Sequence, residues 1–457
     1  MGIKKIKTIL SLAMIALVIP GCTLLQNQND KVVINPDSND SQNIETEKPE
    51  PVNSNDIESV IPDNIQYIRD KVWKSYIETI LNDESRRKEF ESNEMVFGDV
   101  SMRYAVFKIG EEPEGGYPLY IALHGGGEVP EEVHEQQWNS MKFYYRWSVK
   151  RGIYVAVRGV RRLYNTHSQD ESYPLYDRLI ENMIAFENIN PNRVYLLGFS
   201  AGGDGVYQIA PRMADRFAAV NMSAGHPNGV SLKNVKNLPF AIQMGEKDAA
   251  YDRNKQAAIY DNILEELKNS EGGYIHQTFI HVNKPHNFLD NDVKREPQSV
   301  ITDIKAWLEG KESPSQKVNT NAVDWVSQFE RNPYPESIYW DLTTQADLRS
   351  TGSFYWLSLN APGQQEGEIK ARLDAESNSV IIDVADVKDG FTVLLNEQML
   401  DIFKPVNIEV EGRHFTVNVK PSEEFIRKTT FERGDYNYQF AACIVLRKSN
   451  GEWSIAD

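Results

Sequence analysis

The stretch Arg193-Val194-Tyr195-Leu196-Leu197-Gly198-Phe199-Ser200-Ala201-Gly202 decides the fold of this chain. Its first five residues predict a strand, and the pattern G-x-S-x-G follows that strand directly. The pattern places a serine on a strained turn between a strand and a helix, where side chains at the two glycine positions would collide with neighbouring elements. Residues 203–210 continue as a helix-like segment. The sequence therefore predicts a strand–serine–helix unit that presents the hydroxyl of Ser200.

A second glycine-rich turn, His124-Gly125-Gly126-Gly127, ends the apolar run 120–123. Backbone N–H groups of such a turn can bind the negative charge that develops on a substrate oxygen. Gly126 and Gly127 are the candidate donors on this turn, and Ala201 is the candidate donor after the serine. The alternative interpretation is an ordinary glycine turn at the end of a strand.

A carboxylate and a histidine complete the set of candidate catalytic residues. Asp248 follows the strand-like run 239–244 and could orient a histidine, while His286 follows the run 278–282 and is suited to act as a general base. Other acidic residues and histidines lie close to these two in the sequence, and they are Glu246, Asp252, His276 and His281.

Residues 102–307 resemble an α/β-hydrolase of the esterase kind, similar to polyhydroxybutyrate depolymerases and dienelactone hydrolases and related to prolyl-oligopeptidase-type catalytic domains. The resemblance rests on the two glycine-rich motifs and on the chain order Ser200, Asp248, His286. It implies that Ser200 is the nucleophile, that His286 is the base, that Asp248 orients the base, and that no cofactor is needed. No helical lid is evident between the core strands.

Strand-like runs between residues 102 and 282 alternate with helical segments such as 177–188 and 254–268. Such alternation predicts a mostly parallel, doubly wound sheet with helices on both faces and its site at the carboxyl ends of the strands. A preceding amphipathic helix over residues 65–80 is expected to pack on this hydrolase domain, which we place at residues 59–312.

The remainder of the chain changes character after a predicted linker at residues 313–330. Residues 331–457 contain many short strand-like runs separated by turns, which predicts a smaller, all-β, sandwich-like domain. This part resembles the β domain appended to some bacterial secreted esterases, through residues 329–335 and 338–340 and the turn 404–406. Its aromatic residues are expected in the core, with glycan or polymer binding as the alternative; they are Trp340, Phe354, Tyr355 and Trp356.

The N-terminus predicts export. Three lysines precede the apolar run 9–19, as in a secretory signal, and Ile19-Pro20-Gly21-Cys22 resembles a bacterial lipoprotein box, although Pro20 departs from its usual pattern. We expect a lipoprotein signal peptide at residues 1–21, lipid on Cys22, and a disordered acidic tether over 22–58. Such a protein would be anchored by lipid to a bacterial envelope membrane; plain secretion is the alternative.

Composition excludes several partners. The 457 residues carry a net charge of −17, which argues against nucleic acid as a ligand. The only two cysteines are Cys22 and Cys443, so no disulfide framework is expected. His124 and Glu128 flank the glycine turn, but two residues do not make a metal site.

Two further segments have alternative interpretations. The basic run 158–162 could hold an anionic group or form a solvated loop. A second group of aromatic residues could contact substrate or pack a helix on the sheet; they are Trp138, Phe143, Tyr144, Tyr145 and Trp147.

The favoured function is a serine esterase acting on a small or polymeric ester, with oligomeric state open. The alternatives are a serine exopeptidase and a surface glycan-binding lipoprotein with a vestigial hydrolase domain.

Overall fold

The computed structural model describes residues 59–344, 352–361 and 363–456. The predicted signal peptide, Cys22 and the acidic tether lie outside these residues. The described residues from 59 to 455 form one compact unit. No helix in the described ranges is both long and apolar enough to cross a membrane.

Nine α-helices are described. They are α1 Ile65–Asn82, α2 Glu84–Ser92, α3 Glu131–Tyr144, α4 Ser172–Glu187, α5 Ala201–Arg212, α6 Arg253–Glu271, α7 Ile304–Leu308, α8 Ala322–Val326 and α9 Glu423–Arg433. The strands of the first half are β1 Glu94–Phe97, β2 Val100–Ile109, β3 Tyr117–Leu123, β4 Gly152–Val157, β5 Ile189–Phe199, β6 Ala219–Ser223, β7 Phe240–Gly245, β8 His276–His281, β9 Gln298–Ile301 and β10 Ser315–Val318.

These ten strands form one sheet in the order β1-β2-β4-β3-β5-β6-β7-β8-β9-β10. The strands from β4 through β3, β5, β6 and β7 to β8 pair in parallel, whereas β1 and β2 at one edge and β9 and β10 at the other pair antiparallel. The order of the first eight strands is that of the α/β-hydrolase fold, so the predicted fold class is confirmed.

Alternate residues of the central strands face two different helical layers. Every residue of β3 is buried. Ile121 and Leu123 pack in the cluster that contains α4 and α5, while Tyr120 and Ala122 pack in the cluster that contains α3 and α8. Burial on both faces explains why β3 is apolar throughout instead of alternating with polar residues.

The predicted linker contributes two ordered elements to the hydrolase layer. Strand β10 pairs antiparallel with β9, and α8 packs in the cluster that holds α3 on the sheet. The boundary between the two parts of the chain stays a prediction.

The C-terminal part contains two five-stranded sheets, in the orders β11-β14-β15-β17-β18 and β12-β13-β16-β19-β20. Their strands are β11 Ser337–Asp341, β12 Ser353–Phe354, β13 Leu357–Leu359, β14 Glu368–Asp374, β15 Ser379–Ala385, β16 Phe391–Leu395, β17 Val406–Val410, β18 Arg413–Val417, β19 Ala442–Ser449 and β20 Glu452–Ile455. All pairs are antiparallel except β15 with β17. The four aromatic residues noted in the sequence are 2% exposed or less, so they form core and offer no binding face; they are Trp340, Phe354, Tyr355 and Trp356.

Buried ion pairs join the C-terminal part to the hydrolase layer. Arg433 on α9 contacts Asp215 at 2.5 Å, and Arg216 lies 3.7 Å from Asp435, with all four side chains at most 3% exposed. One continuous hydrophobic cluster spans both parts of the chain. The two parts therefore share a core.

Helix α1 packs on the hydrolase layer, as expected, and on the C-terminal part as well. Arg69 donates to Gln439 at 3.2 Å and pairs with Glu397 at 2.6 Å, and Gln66 donates to Tyr436 at 2.7 Å. Helix α1 also contacts both α4 and α9. It thus joins the first described residues to some of the last.

Candidate active site

Ser200 lies on the turn between β5 and α5 with φ 58° and ψ −121°. Few residues with a side chain adopt a positive φ, and such a conformation persists only where the surroundings hold it. The turn is packed without space for side chains at its glycines. A Cβ on Gly198 would lie 2.1 Å from the Gly202 oxygen, and one on Gly202 would lie 2.1 Å from the Leu123 oxygen. The G-x-S-x-G pattern is therefore a packing requirement of this turn.

His286 lies between Ser200 and Asp248. Its Nε2 is 3.0 Å from Ser200 Oγ, and its Nδ1 is 2.6 Å from Asp248 Oδ2. The carboxylate can accept only from a protonated Nδ1, so Nε2 of the neutral ring accepts from the serine hydroxyl. Asp248 is 3% exposed, whereas the His286 side chain is 35% exposed. The ring is thus held from a buried side and reachable from solvent.

The rival acids have other contacts. Glu246 accepts from the Asn283 N–H at 2.6 Å and from the Trp307 indole at 3.3 Å. Asp252 is exposed and lies 3.4 Å from Lys255. Of the three acidic candidates, the structure brings only Asp248 to the histidine next to Ser200.

The rival histidines also have other partners. His281 is buried with its Nε2 3.0 Å from Gln243, and His276 contacts the Tyr274 carbonyl through Nδ1 at 2.8 Å. Burial lowers the pKa of His281 to about 3, which keeps this ring neutral.

Two backbone bonds and a cation hold Asp248. Its N–H donates to the Gly245 carbonyl at 3.0 Å, and its carbonyl accepts from the Asn254 N–H at 3.1 Å. Arg253 Nη1 lies 3.8 Å from Asp248 Oδ1, the oxygen that does not contact His286. The sequence offered no signal for Arg253, because its approach depends on how α6 follows the Asp248 turn.

The glycine turn 124–127 lies beside the serine. A Cβ on Gly125 would be 3.1 Å from Ser200 Cβ, and Gly126 has φ +82°. Among the described residues, no acceptor bonds to the N–H groups of Gly126, Gly127 and Ala201. The N–H of Ser200 itself is occupied by the Ser223 carbonyl at 2.8 Å. The three predicted donors are therefore unoccupied, and their role stays a prediction.

Three buried histidines support this turn, and sequence analysis missed two of them. The Gly159 N–H donates to His124 Nε2 at 3.0 Å, so His124 carries its proton on Nδ1 and donates it to the Gly125 carbonyl at 2.7 Å. His167 donates through Nε2 to the His124 carbonyl at 2.9 Å. The His134 ring stands edge-on to His124, with centroids 4.7 Å apart.

Burial keeps these three rings neutral. It lowers the pKa of His167 to about 3, holds the pKa of His124 well below its usual value, and also lowers that of His134. The neutral rings of His124 and His167 act as donors and acceptors that hold the glycine turn in place.

A buried carboxylate anchors the loop that carries His286. Asp290 accepts from Ser223 Oγ at 2.5 Å, from the Tyr144 hydroxyl at 2.7 Å and from the Tyr145 hydroxyl at 3.0 Å. Burial raises the pKa of Asp290, and the three hydroxyl donors oppose that rise. No sequence motif marks Asp290, since its hydroxyl donors come from the end of α3, from the residue after it and from β6.

An open cleft of about 630 Å³ begins one residue beyond the glycine turn. It is lined by Glu128, Val129, Pro130, Arg161, Arg162 and Leu163. Arg161 pairs with Glu171 at 2.8 Å, and Arg162 pairs with Glu131 at 3.1 Å. The basic run 158–162 therefore already has acidic partners.

The second aromatic group is divided between core and surface. Trp138 and Tyr145 are buried against the sheet, whereas Phe143 is 48% and Trp147 is 61% exposed.

In the described ranges, no group of three or more histidine, cysteine, aspartate or glutamate side chains is placed to hold a metal ion.

Comparisons with known proteins give structural similarity only. No protein-family model matches the chain, and no curated protein matches it. A thermostable esterase is 18% identical with a TM-score of 0.34, and the match covers 52% of this chain and 62% of that chain, which is less than two thirds of the esterase. The poly(3-hydroxybutyrate) depolymerase from Bordetella parapertussis is 17% identical with a TM-score of 0.35, covering 47% and 86%. A carboxylesterase from Mesorhizobium loti is 15% identical with a TM-score of 0.32, covering 48% and 99%.

Proposed function

We propose that this protein is a serine hydrolase that cleaves carboxylic esters through an acyl-enzyme. The observation that carries the proposal is the chain of two hydrogen bonds from Ser200 Oγ through His286 to Asp248, at 3.0 and 2.6 Å. A serine is nucleophilic only when a base removes its proton, and this arrangement supplies the base and its orienting acid.

The reaction then proceeds in two halves. In the first, Ser200 Oγ attacks the ester carbonyl while His286 Nε2 takes the hydroxyl proton. The resulting imidazolium protonates the leaving alcohol as the carbon–oxygen bond breaks, which leaves an acyl group on Ser200. In the second, His286 activates water, which releases the acid and restores the serine.

Charge on the substrate oxygen is stabilised by the glycine turn and the start of α5. The N–H groups of Ala201 and of Gly126 or Gly127 are the proposed donors. They lie beside Ser200, and no acceptor among the described residues bonds to them. The dipole of α5, which begins at Ala201, favours negative charge at the same place.

The open cleft beside Gly127 supports a small ester or the end of an ester-bearing polymer as substrate. Its lining contains apolar side chains and Glu128, and its arginines are ion-paired. Nothing in this lining selects for a free carboxylate, so an ester whose acyl part is uncharged fits it better.

We also propose export with a lipid on Cys22, from the signal-like residues 1–22. Metabolic labelling with a fatty acid should mark the wild-type protein and leave a Cys22→Ser variant unmarked. Equal labelling of both would reject the anchor.

Reaction with a fluorescent fluorophosphonate tests the catalytic proposal, because this reagent is attacked only by an activated serine. Residues 55–457, which contain the whole of the compact unit, are the form to use. Labelling should disappear in Ser200→Ala and fall sharply in His286→Ala. Ser140→Ala and His414→Ala remove an exposed serine and an exposed histidine elsewhere, and should label as the wild type does.

Substrate panels then separate the two catalytic hypotheses. Short-chain esters should be turned over by the wild type and not by Ser200→Ala, whereas aminoacyl amides should be poor substrates. A folded wild-type protein that resists the fluorophosphonate and hydrolyses no ester would reject the proposal.

A further inference from the structure

The segment that follows Glu135 has an unusual charge. Residues 136–169 contain seven basic side chains and no acidic one, in a chain whose net charge is −17. Arg158, Arg161 and Arg162 in this segment pair with acids from other parts of the chain. The basic residues nearer the end of α3 are different, and they lie beside exposed aromatic rings.

Arg146 lies against three aromatic rings, of which Phe143 and Trp147 are exposed and Phe107 is partly buried. Its guanidinium carbon is 4.2 Å from the ring centroid of Phe107, 4.5 Å from that of Phe143 and 4.4 Å from that of Trp147. Within residues 59–344, 352–361 and 363–456, no carboxylate lies within ion-pair distance of Arg146. The aromatic faces therefore hold the guanidinium in one orientation while its N–H edge has no acidic partner.

Two more lysines extend this surface. Lys142 contacts Asn139 at 2.7 Å and the Trp138 ring at 3.6 Å but no acid. Lys150 is 77% exposed and pairs with Asp324 at 3.7 Å, a carboxylate that Arg295 binds more closely at 2.6 Å. Lys142, Phe143, Arg146, Trp147 and Lys150 together are called the basic-aromatic surface. The spacing 142/146 and 143/147 puts each pair one helical turn apart, since Tyr145 between α3 and the turn Arg146–Ser148 has helical φ and ψ.

A neighbouring loop adds another exposed apolar side chain. Val293 is 49% exposed, and its loop is tied to the surface by bonds from Asn291 to the Tyr144 carbonyl at 2.7 Å and from Arg295 to the Ser148 carbonyl at 3.2 Å. Exposed apolar side chains that cluster and are ringed by cations mark an interaction site more often than isolated ones do.

We infer that the basic-aromatic surface binds the anionic headgroups of a lipid bilayer. Tryptophan and phenylalanine favour the boundary between headgroups and acyl chains, and basic side chains beside them are attracted to anionic lipid phosphates. The rest of the protein is acidic and is repelled by such a membrane. The local charge therefore also sets which face of the protein turns toward the bilayer.

A polysaccharide is a poorer fit to the same surface. Sugar hydroxyls are bound by carboxylate and amide side chains beside the aromatic ring, and residues 141–151 contain no aspartate, glutamate, asparagine or glutamine. The amides of Asn139 and Asn291, which contact this segment, are already bonded to Lys142 and to the Tyr144 carbonyl. The apolar groups also include Val293, which has no planar face for a sugar ring. The inference depends neither on the proposed catalysis nor on lipid at Cys22.

Co-sedimentation with lipid vesicles tests whether the basic-aromatic surface binds anionic headgroups. Residues 55–457, which lack the apolar run 9–19 and Cys22, are mixed at low salt with phosphatidylglycerol–phosphatidylcholine vesicles and, separately, with pure phosphatidylcholine vesicles. The basic-aromatic surface is neutralised by Lys142→Gln, Arg146→Gln and Lys150→Gln together. A matched control neutralises three exposed lysines elsewhere, which are Lys74, Lys255 and Lys404, at 80%, 64% and 75% exposure.

The wild type should bind the anionic vesicles, bind the neutral ones weakly, and be released by salt. Each neutralised cation at the surface should lower the partition coefficient about five-fold, so the triple variant should fall about a hundred-fold. A Phe143→Ser, Trp147→Ser variant should also bind less, and the control triple should keep at least half of the wild-type binding. Thermal unfolding midpoints show that each variant is folded.

Three results would overturn the inference: no binding of the wild type to anionic vesicles at low salt, an equal loss in the control triple, or binding to a soluble polyuronate in place of vesicles. None of these readouts uses enzymatic turnover, so they are independent of whether the protein cleaves esters.

Discussion

Removing the carboxylate of Asp215 should destabilise the whole compact unit. Asp215 is 0% exposed, contacts Arg433 at 2.5 Å and accepts the Tyr355 N–H at 3.3 Å, and Arg433 is 3% exposed. Taking away one member of a buried pair leaves the other charge without its main partner in a medium that solvates it poorly. We expect Asp215→Ala to lower the free energy of unfolding by roughly 3 to 5 kcal/mol.

Urea denaturation followed by tryptophan fluorescence and by circular dichroism measures this loss. The control is Asp383→Ala, which breaks the pair of Arg372 and Asp383, both 48% exposed, and should cost less than about 1 kcal/mol. The double variant Asp215→Ala, Arg433→Met should be more stable than Asp215→Ala alone, because it also removes the buried charge. A cost for Asp215→Ala no larger than that of the exposed control, or a double variant less stable than the single, would refute the reasoning.

Three further predictions follow from the site and its supports. Asp248→Asn should lower kcat on a short-chain ester by about a thousand-fold or more with little change in KM, because a neutral amide does not stabilise the imidazolium of His286; a loss under ten-fold would exclude this role. Gly202→Ala should abolish fluorophosphonate labelling and lower the unfolding midpoint, because its Cβ would lie 2.1 Å from the Leu123 carbonyl, whereas Gly229→Ala, whose Cβ meets no atom within 4 Å, should still label. Acid should destabilise the protein below about pH 6.5, since the pKa values of His167 and His281 are lowered to about 3 and the unfolded chain takes up protons that the folded one does not. Each of these histidines should account for about 2 kcal/mol of lost stability at pH 5, and a flat stability between pH 7 and pH 5 would contradict this.

Local sequence patterns anticipated the parts of the molecule that are determined by local geometry. The glycines around Ser200 are required by contacts within one turn, so a five-residue pattern identifies them. Strands β3 and β4 contain no charged or amide side chain because both of their faces are covered, and the alternation of strand-like runs with helices indicated a parallel sheet.

Residues whose partners come from distant elements left no local signal. Asp290 bonds to hydroxyls from α3 and β6, and His167 supports a turn that ends 40 residues before it in the sequence. Such pairings arise only once the sheet has formed, so single-residue patterns do not indicate them.

Helix α9 lies in the part of the chain that was predicted to be all-β, although the sequence contains a signal for it. Ser422 begins it by accepting from the Phe425 N–H at 3.1 Å, and two glutamates occupy its first turn. This is a helix-start signal that could be found in the sequence. The many short strand-like runs around α9 favoured an all-β interpretation. The local signal at Ser422 agrees with the helix that forms, so the helix could have been predicted from the sequence.

The contact between α1 and the C-terminal residues has a consequence for how the chain is made. Gln66 and Tyr436 are hydrogen-bonded across 370 residues, and Arg69 and Gln439 are separated by the same interval. A ribosome releases α1 long before α9 exists, so the part of this helix that packs on the C-terminal residues stays uncovered through most of translation. Domains that are completed only when the last segment emerges expose such surfaces to aggregation. We therefore expect newly made chains that stop before α9 to be retained by chaperones or degraded, even though every residue of the proposed catalytic set has already been synthesised.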